Sequence, residues 1–172
     1  EFDRKSIALA MTGQEVNEVR LAPEVPADAP TVLQVDSISS PGRFRDISFS
    51  VKAGEVVGIT GLLGSGRSEI AEALFGMTPI KSGTVSVNGS PITLKGPRSA
   101  VAAGIGYVPQ DRLTQGLFLH QPILKNVLAA AIERFVGPLG FVKGKSIRET
   151  VTAWIADLKI KTTDPQNPAT SL

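Results

Sequence analysis

The stretch Glu55-Val56-Val57-Gly58-Ile59-Thr60-Gly61-Leu62-Leu63-Gly64-Ser65-Gly66-Arg67-Ser68-Glu69-Ile70 decides how the chain reads. Glu55 to Thr60 is a continuous apolar run, the pattern of a strand buried on both faces. It passes into Gly61, Gly64 and Gly66, and then into a helical period carrying Ile70, Ala73 and Leu74, with Gly76 as its stop. Strand, glycine-rich loop and helix in that order are the setting of a phosphate-binding loop. Glycine is required because main-chain N–H groups must point inward around phosphates, where side chains would obstruct the approach. The helix N-terminus adds unpaired N–H groups and partial positive charge. The candidate nucleotide-binding residues are therefore Gly61, Gly64, Ser65, Gly66, Arg67 and Ser68, and Ser68 is placed to coordinate Mg²⁺ between the β- and γ-phosphates. A glycine turn with only a structural job is the alternative, and spacing, flanks and hydroxyl together disfavour it.

Arg67 stands where the motif has lysine. Lysine is a compact point charge, whereas arginine is a wider planar fork with fixed donor directions, so the exchange is not conservative. Arginine pairs well with phosphate, so nucleotide binding is expected. Phosphoryl transfer depends on geometry and charge placement, so turnover is left open.

Composition narrows the class. The 172 residues, 42% of them apolar, suffice for one domain with a buried core and exclude disordered and collagen-like chains. Eighteen basic against 16 acidic side chains leave a net charge of +2, too small an imbalance for a nucleic-acid surface despite a pI of 9.1. The absence of cysteine removes disulfides, thiolate metal sites and cysteine nucleophiles, and the single histidine, His120, argues against a zinc or non-heme iron centre. His120 reads as a surface or capping side chain. The longest apolar run, Val127 to Ile132, has six residues, against roughly 20 for a membrane span. No signal-peptide pattern opens the sequence, so a soluble, cytoplasmic chain is expected.

Residues 1–13 read as a short helix, with Ile7, Ala8, Ala10 and Met11 on one side and Gly13 as its stop. Pro23, Pro26 and Pro30 space an extended connector over 17–30, so residues 1–16 look like the tail of a preceding domain and a new one starts near Thr31. That domain divides into a β and phosphate-loop core, 31–121, and a helical part, 122–172. Strands are expected at Val32–Val35, Ile47–Val51 and Thr84–Val87, with Asn88-Gly89 as a hairpin turn into Ile92–Leu94. A short helix, Arg98–Ala103, closes at Gly104 and leads into a second buried strand, Ile105–Val108. Pro122 opens a helix whose stripe is Leu124, Val127, Leu128, Ala131, Ile132 and Phe135. Ser146-Ile147-Arg148-Glu149 has the capping-box pattern and opens a helix with Ile147, Val151, Trp154, Ile155 and Leu158 on one face. The stripes read as internal packing. Ala153-Trp154-Ile155-Ala156-Asp157 imitates an apolar strand ending in a carboxylate. It lies inside that helical period and runs into Leu158 and Lys159, so it is set aside. After Lys159 the chain is loop-like.

Val51-Lys52-Ala53-Gly54-Glu55-Val56-Val57-Gly58-Ile59, then the loop, then Ser82-Gly83-Thr84-Val85-Ser86-Val87-Asn88-Gly89 resembles the ATP-binding-cassette ATPases. Gly104-Ile105-Gly106-Tyr107-Val108-Pro109-Gln110-Asp111-Arg112, Gly116-Leu117 and Lys125-Asn126-Val127 make it similar to the second cassette of double-cassette subunits of bacterial monosaccharide importers. There the second loop commonly carries Gly-Arg-Ser/Thr, and Pro-x-Asp-Arg marks the Q-loop. The resemblance covers about 31–172 and implies an α/β phosphate-loop NTPase core with antiparallel β and helical subdomains, present here in its N-terminal part. It implies ATP and Mg²⁺ as cofactors and Gln110 as the Q-loop glutamine, contacting Mg²⁺ or the attacking water. A merely polar strand-end residue is the alternative for Gln110. Phe44 is the nearest candidate for the adenine-stacking aromatic, and a plain hairpin side chain is equally open. Implied partners are transmembrane permease subunits, the preceding cassette of the same chain (whose last helix residues 1–13 resemble) and, indirectly, a periplasmic sugar-binding protein. The implied place is the cytoplasmic face of the bacterial inner membrane, held peripherally.

A working cassette also carries Leu-Ser-Gly-Gly, a strand ending in Asp-Glu and a switch histidine, none of which follows; Thr170-Ser171-Leu172 falls where the first begins. The expectation is no hydrolysis by these 172 residues alone. An apolar sheet edge beside 55–60 and 105–108 is also expected, to be covered by self-association or a partner, or to lower stability. Three readings compete: a hydrolysing sugar-import cassette, a degenerate cassette that binds nucleotide in support of a sister site, and another phosphate-loop protein. The last, a small-molecule kinase or GTPase, is weakened by the missing Asn-Lys-x-Asp and carboxylate strand.

Overall fold

The computed structural model describes residues 4–12, 25–136 and 144–172. The chain packs as two compact units, Glu1–Tyr107 and Val108–Leu172. The division falls ahead of the 121/122 boundary read from the sequence, so the segment with Gln110 belongs with the helices. Gly13 and most of the proline-spaced connector lie outside the described residues. Before them comes helix α1, Arg4–Thr12.

In the first unit, strands β1 (Thr31–Ser40), β2 (Phe44–Lys52), β3 (Ser82–Val87) and β4 (Ser90–Ile92) form one antiparallel sheet in the order β2-β1-β3-β4. Strict alternation along β1 would place Val35 and Ile38 on opposite faces. Both are fully buried, because a bulge at Asp36 and Ser37 shifts the register by one residue. Ser37 takes a left-handed φ of 48°, and its N–H donates to Ser48 Oγ at 2.8 Å. Gly83 lies against this bulge, where a β-carbon would collide with the Asp36 carbonyl oxygen and the Ile38 nitrogen. The Asn88-Gly89 turn has φ of 49° and 75° and pairs Val87 directly with Ser90. Pairing starts immediately after the two-residue turn, so β4 precedes the expected 92–94.

Helix α2, Arg67–Leu74, covers one face of the sheet. Its Ile70 and Ala73 pack with Val35, Ile38, Phe44 and Val85 in one buried cluster. The helix stops as expected at Gly76, whose φ is 78°. The Gly76 N–H donates to Ala73 and the Met77 N–H to Glu72, the paired bonds of a Schellman end. Helix α3, Pro97–Ala102, ends in the same way before Gly104.

Two expected strands are not found. Glu55–Thr60 and Ile105–Val108 pair with no strand among the described residues, and they are not buried on both faces. Val56 is 82% and Val108 90% exposed. An apolar run becomes a strand only where a neighbour receives its N–H and C=O groups, and the four paired strands lie elsewhere.

The second unit packs helix α4 (Ile123–Ala129) on helix α5 (Gly144–Asp157) through Leu128, Ile147 and Val151. The single helix expected to Phe135 breaks after Ala129. A separate turn, Ile132–Phe135, sets the Phe135 ring edge-on to Trp154, with centroids 6.3 Å apart. Helix α5 already includes Gly144, so Ser146 lies in its first turn and not before it, as the capping-box reading required. Ala153–Asp157 is helical, as anticipated when the carboxylate-strand imitation was set aside.

Residues after Asp157 are not idle loop. The N–H groups of Ile123 and Leu124 donate to the Asn167 and Pro165 carbonyls, while Ala169 and Thr170 donate to Gln121 and Leu119, all at 2.9–3.1 Å. The first turn of α4 is thereby satisfied by main chain from the tail. At the end of α5, Lys159 takes a φ of 51° where glycine is the usual occupant. Lys159→Gly is expected to raise stability by about 1 kcal/mol by relieving the left-handed strain, read as a higher melting temperature by circular dichroism.

Candidate phosphate-binding site

The loop from Gly61 to Gly66 leads directly into α2. Its turn is closed by the Ser65 N–H donating to the Leu62 carbonyl at 3.1 Å, with Gly64 at φ 78°. Gly66 stands at φ 90° immediately before the helix, and its carbonyl accepts from the Ile70 N–H at 3.0 Å. Main chain therefore enters the helix through a left-handed residue, a conformation L side chains rarely hold.

Two of the three glycines also have close neighbours, main chain at Gly66 and side chains at Gly61. A β-carbon on Gly66 would stand 2.8 Å from the Arg43 carbonyl oxygen and 3.5 Å from Phe44 Cβ. One on Gly61 would stand 2.6 Å from Ser65 Oγ and 3.6 Å from Arg67 Cδ. The Ser65 hydroxyl and the Arg67 stem thus fold over Gly61. Gly64 meets nothing within 4 Å, and its constraint is conformational alone. Arg67 and Ser68 are exposed on the first turn of α2.

The β1–β2 turn walls the loop on one side. Arg43 Nη1 lies 3.7 Å from Glu72 Oε2 on α2, and Thr78 donates to the same oxygen at 3.4 Å. Phe44 is only 9% exposed and belongs to the buried cluster, though it also borders an open depression of about 540 Å³ shared with Pro41, Arg43 and Arg45.

Gln110 lies in the second unit. The residue after it, Asp111, caps the wide turn Arg112–Gly116: its carboxylate accepts from the Leu113 and Thr114 N–H groups at 3.1 and 3.2 Å and from Thr114 Oγ1 at 2.6 Å. These bonds, led by the Thr114 hydroxyl, hold the Asp111 carboxyl below its ordinary range. Asn126 binds Phe118 by both main-chain groups, Nδ2 donating to its carbonyl at 3.0 Å and Oδ1 accepting from its N–H at 2.7 Å. His120 is exposed.

The donor set suits a nucleotide tail with a hard cation. Main-chain N–H groups, an arginine and a helix N-terminus match phosphate oxygens. No group of three or more His, Cys, Asp or Glu that could hold a metal occurs among the described residues. A hydroxyl such as that of Ser68, with phosphate oxygens and water, is how Mg²⁺ is ordinarily held.

Residues 44–171 match the ABC transporter family model. The chain belongs to the ABC transporter family, as an ATP-binding domain related to the ribose and galactose import proteins. It is 45% identical over 141 residues to the ribose import ATP-binding protein RbsA 3 of Rhizobium meliloti (strain 1021), covering 82% of this chain and 28% of that protein. It is 40% identical over 172 residues to the putative ribose/galactose/methyl galactoside import ATP-binding protein 1 of the same strain, covering 99% and 34%. The chain thus spans about a third of the length of the curated relatives it matches. Among solved structures, the ADP conformation of MJ1267, an ATP-binding cassette of an ABC transporter, superposes with a TM-score of 0.62 at 22% identity, over 83% of this chain and 59% of that one. cbiO1 from Clostridium perfringens gives 0.57 at 21%, over 77% and 52%. Both bear on the fold alone. No helix among the described residues is long and apolar enough to cross a membrane.

Sequence reasoning overlooked Arg43, Glu72 and Thr114. Only the Pro-x-Asp-Arg run hinted at Asp111, since Asp two and three residues ahead of free N–H groups is a capping signal. Two outcomes are expected. Gly66→Ala destabilises the chain by more than about 1 kcal/mol in thermal melts, because neither the carbonyl of Arg43 nor the left-handed φ can yield cheaply. Because the folded pKa of Asp111 is depressed, its contribution to stability is present above its unfolded pKa and is lost as pH falls through the folded one. A carboxyl NMR titration should place Asp111 below an ordinary aspartate, and Thr114→Val should raise it.

Proposed function

We propose that the chain is the nucleotide-binding part of an ATP-driven importer of ribose- or galactose-type sugars, and that it corresponds to the second cassette of a double-cassette subunit. The observation that carries this reading is the left-handed Gly66 pressed on the Arg43 carbonyl at the entrance to α2, which shapes the loop before any ligand arrives. In this reading Gly61, Gly64, Ser65 and Gly66 surround the phosphates with main chain, Arg67 pairs with their oxygens, and Ser68 contributes a hydroxyl to Mg²⁺. Gln110 carries the Q-loop role that the family resemblance implies, a contact to Mg²⁺ or the attacking water. Bound Mg²⁺ supplies charge neutralisation at the β- and γ-phosphates. Transmembrane permease subunits are the partners, with a periplasmic sugar-binding protein acting through them, at the cytoplasmic face of the inner membrane. The spellings Gly66-Arg67-Ser68 and Pro109-Gln110-Asp111-Arg112 support the second-cassette assignment, with residues 1–16 as the tail of the first.

A second reading is favoured by Arg67 itself: a cassette that binds nucleotide and supports a sister site without efficient turnover of its own. The guanidinium fork grips phosphate firmly but cannot occupy the compact position of an ammonium.

Calorimetric titration with MgATP is expected to show saturable binding. Arg67→Ala should weaken it roughly 10- to 100-fold, the worth of one charge-assisted contact, whereas Arg67→Lys should retain it. Absence of saturable MgATP binding to the unaltered chain would overturn the reading. In the intact importer subunit, unchanged turnover with Arg67→Ala selects the support role and lost turnover selects the hydrolytic one.

A further inference from the structure

Helix α2 begins at the phosphate loop and ends at Phe75, whose ring stacks on Tyr107 with centroids 5.2 Å apart and planes inclined by 27°. Tyr107 is the last residue of the first unit and stands three positions before Gln110. Glu72, one turn before Phe75, takes the bridge from Arg43 and the hydroxyl of Thr78, so the β1–β2 turn that supports Gly66 is tied to the same end of the helix. The Tyr107 hydroxyl senses this cluster: burial first, and the like charge of the Glu72 carboxylate second, push its pKa up. The run Ile105–Val108 has no strand partner among the described residues, and Val108 is 90% exposed. The ring stack is thus a side-chain anchor on a stretch of main chain that no ladder holds. Offset aromatic stacks of this kind carry energy beyond the area they bury.

We propose that Phe75 and Tyr107 are a positioning pair, their stack tying the phosphate-loop helix to the chain that leads into Gln110, so that nucleotide at one end of α2 steadies residues 105–111 at the other. Neither ring touches the phosphates; both act through α2. The proposal rests on the nucleotide-binding reading of the loop.

Hydrogen exchange with mass spectrometry on the chain, with and without MgATP, separates the two claims. In the unaltered chain MgATP is expected to slow exchange at 61–68 and at 105–111. In Tyr107→Leu and Phe75→Leu it should slow 61–68 only, with the double variant losing no more than either single one. Tyr107→Phe, which keeps the ring, should behave as the unaltered chain. Protection at 105–111 that survives in the leucine variants, or that never appears although 61–68 is protected, overturns the positioning role. If 61–68 is unprotected and calorimetry shows no binding, the nucleotide reading itself fails and the pair falls with it. Where a leucine variant lacks a cooperative melt, Phe75→Met, which keeps the volume without the ring, decides by the same criterion.

Discussion

The structure turns on the contact between Gly66 and the Arg43 carbonyl. Everything around the loop depends on main chain approaching main chain there. Helix α2 can lie on β1 and β3 through Ile70 and Ala73 only if Gly66, the residue before it, comes that close to the β1–β2 turn. The loop shape is then a product of core packing, since the buried face of α2 fixes its axis and the turn fixes its start. A cradle set by the core costs little to order when an anion arrives, which is what preorganisation means in energetic terms. Phe44 serves the same end from below by filling the space under the turn.

Charge at the site is economical. The chain carries a net charge of only +2, so in the proposed reading attraction for phosphate has to be local. Arg67 and the N–H groups of the first turn of α2 would supply it, and Glu72 sits further along the helix, occupied by Arg43 and Thr78. Placing the acid in a bridge keeps it from opposing the anion. In the proposed reading the arrangement would hold phosphate by direction as much as by charge, because both an arginine fork and a helix terminus present donors at fixed angles.

Much of this was legible in the residues. Glycine spacing gave the loop, Asn88-Gly89 the hairpin, and Gly76 and Gly104 the helix ends, since each reflects a local steric rule. What stayed hidden depends on residues far apart or on main chain. Nothing in Thr31–Ser40 announces that a bulge at Ser37 will put Val35 and Ile38 on one face. The runs at 55–60 and 105–108 look like buried strands because their composition is right, but composition cannot supply a pairing neighbour. At the loop, the turn at Gly64 and Gly66 and the helix that follows could be read in advance. Arg43 could not, because it contributes a carbonyl that every residue possesses, and neither could Glu72, whose two partners come from different segments. Ser146 misled because a capping pattern inside a helix looks the same as one at its start.

The lacing of Leu119–Leu124 to Pro165–Thr170 has a further consequence for how the second unit comes apart. Four main-chain bonds join segments more than forty positions distant, and closing so wide a span costs entropy before any bond rewards it. Helix α4, with seven residues, is too short to persist in water unaided. Its first turn and the tail must therefore form and dissolve in a single event, making this half of the molecule a cooperative foldon rather than a pair of helices that fray from their ends.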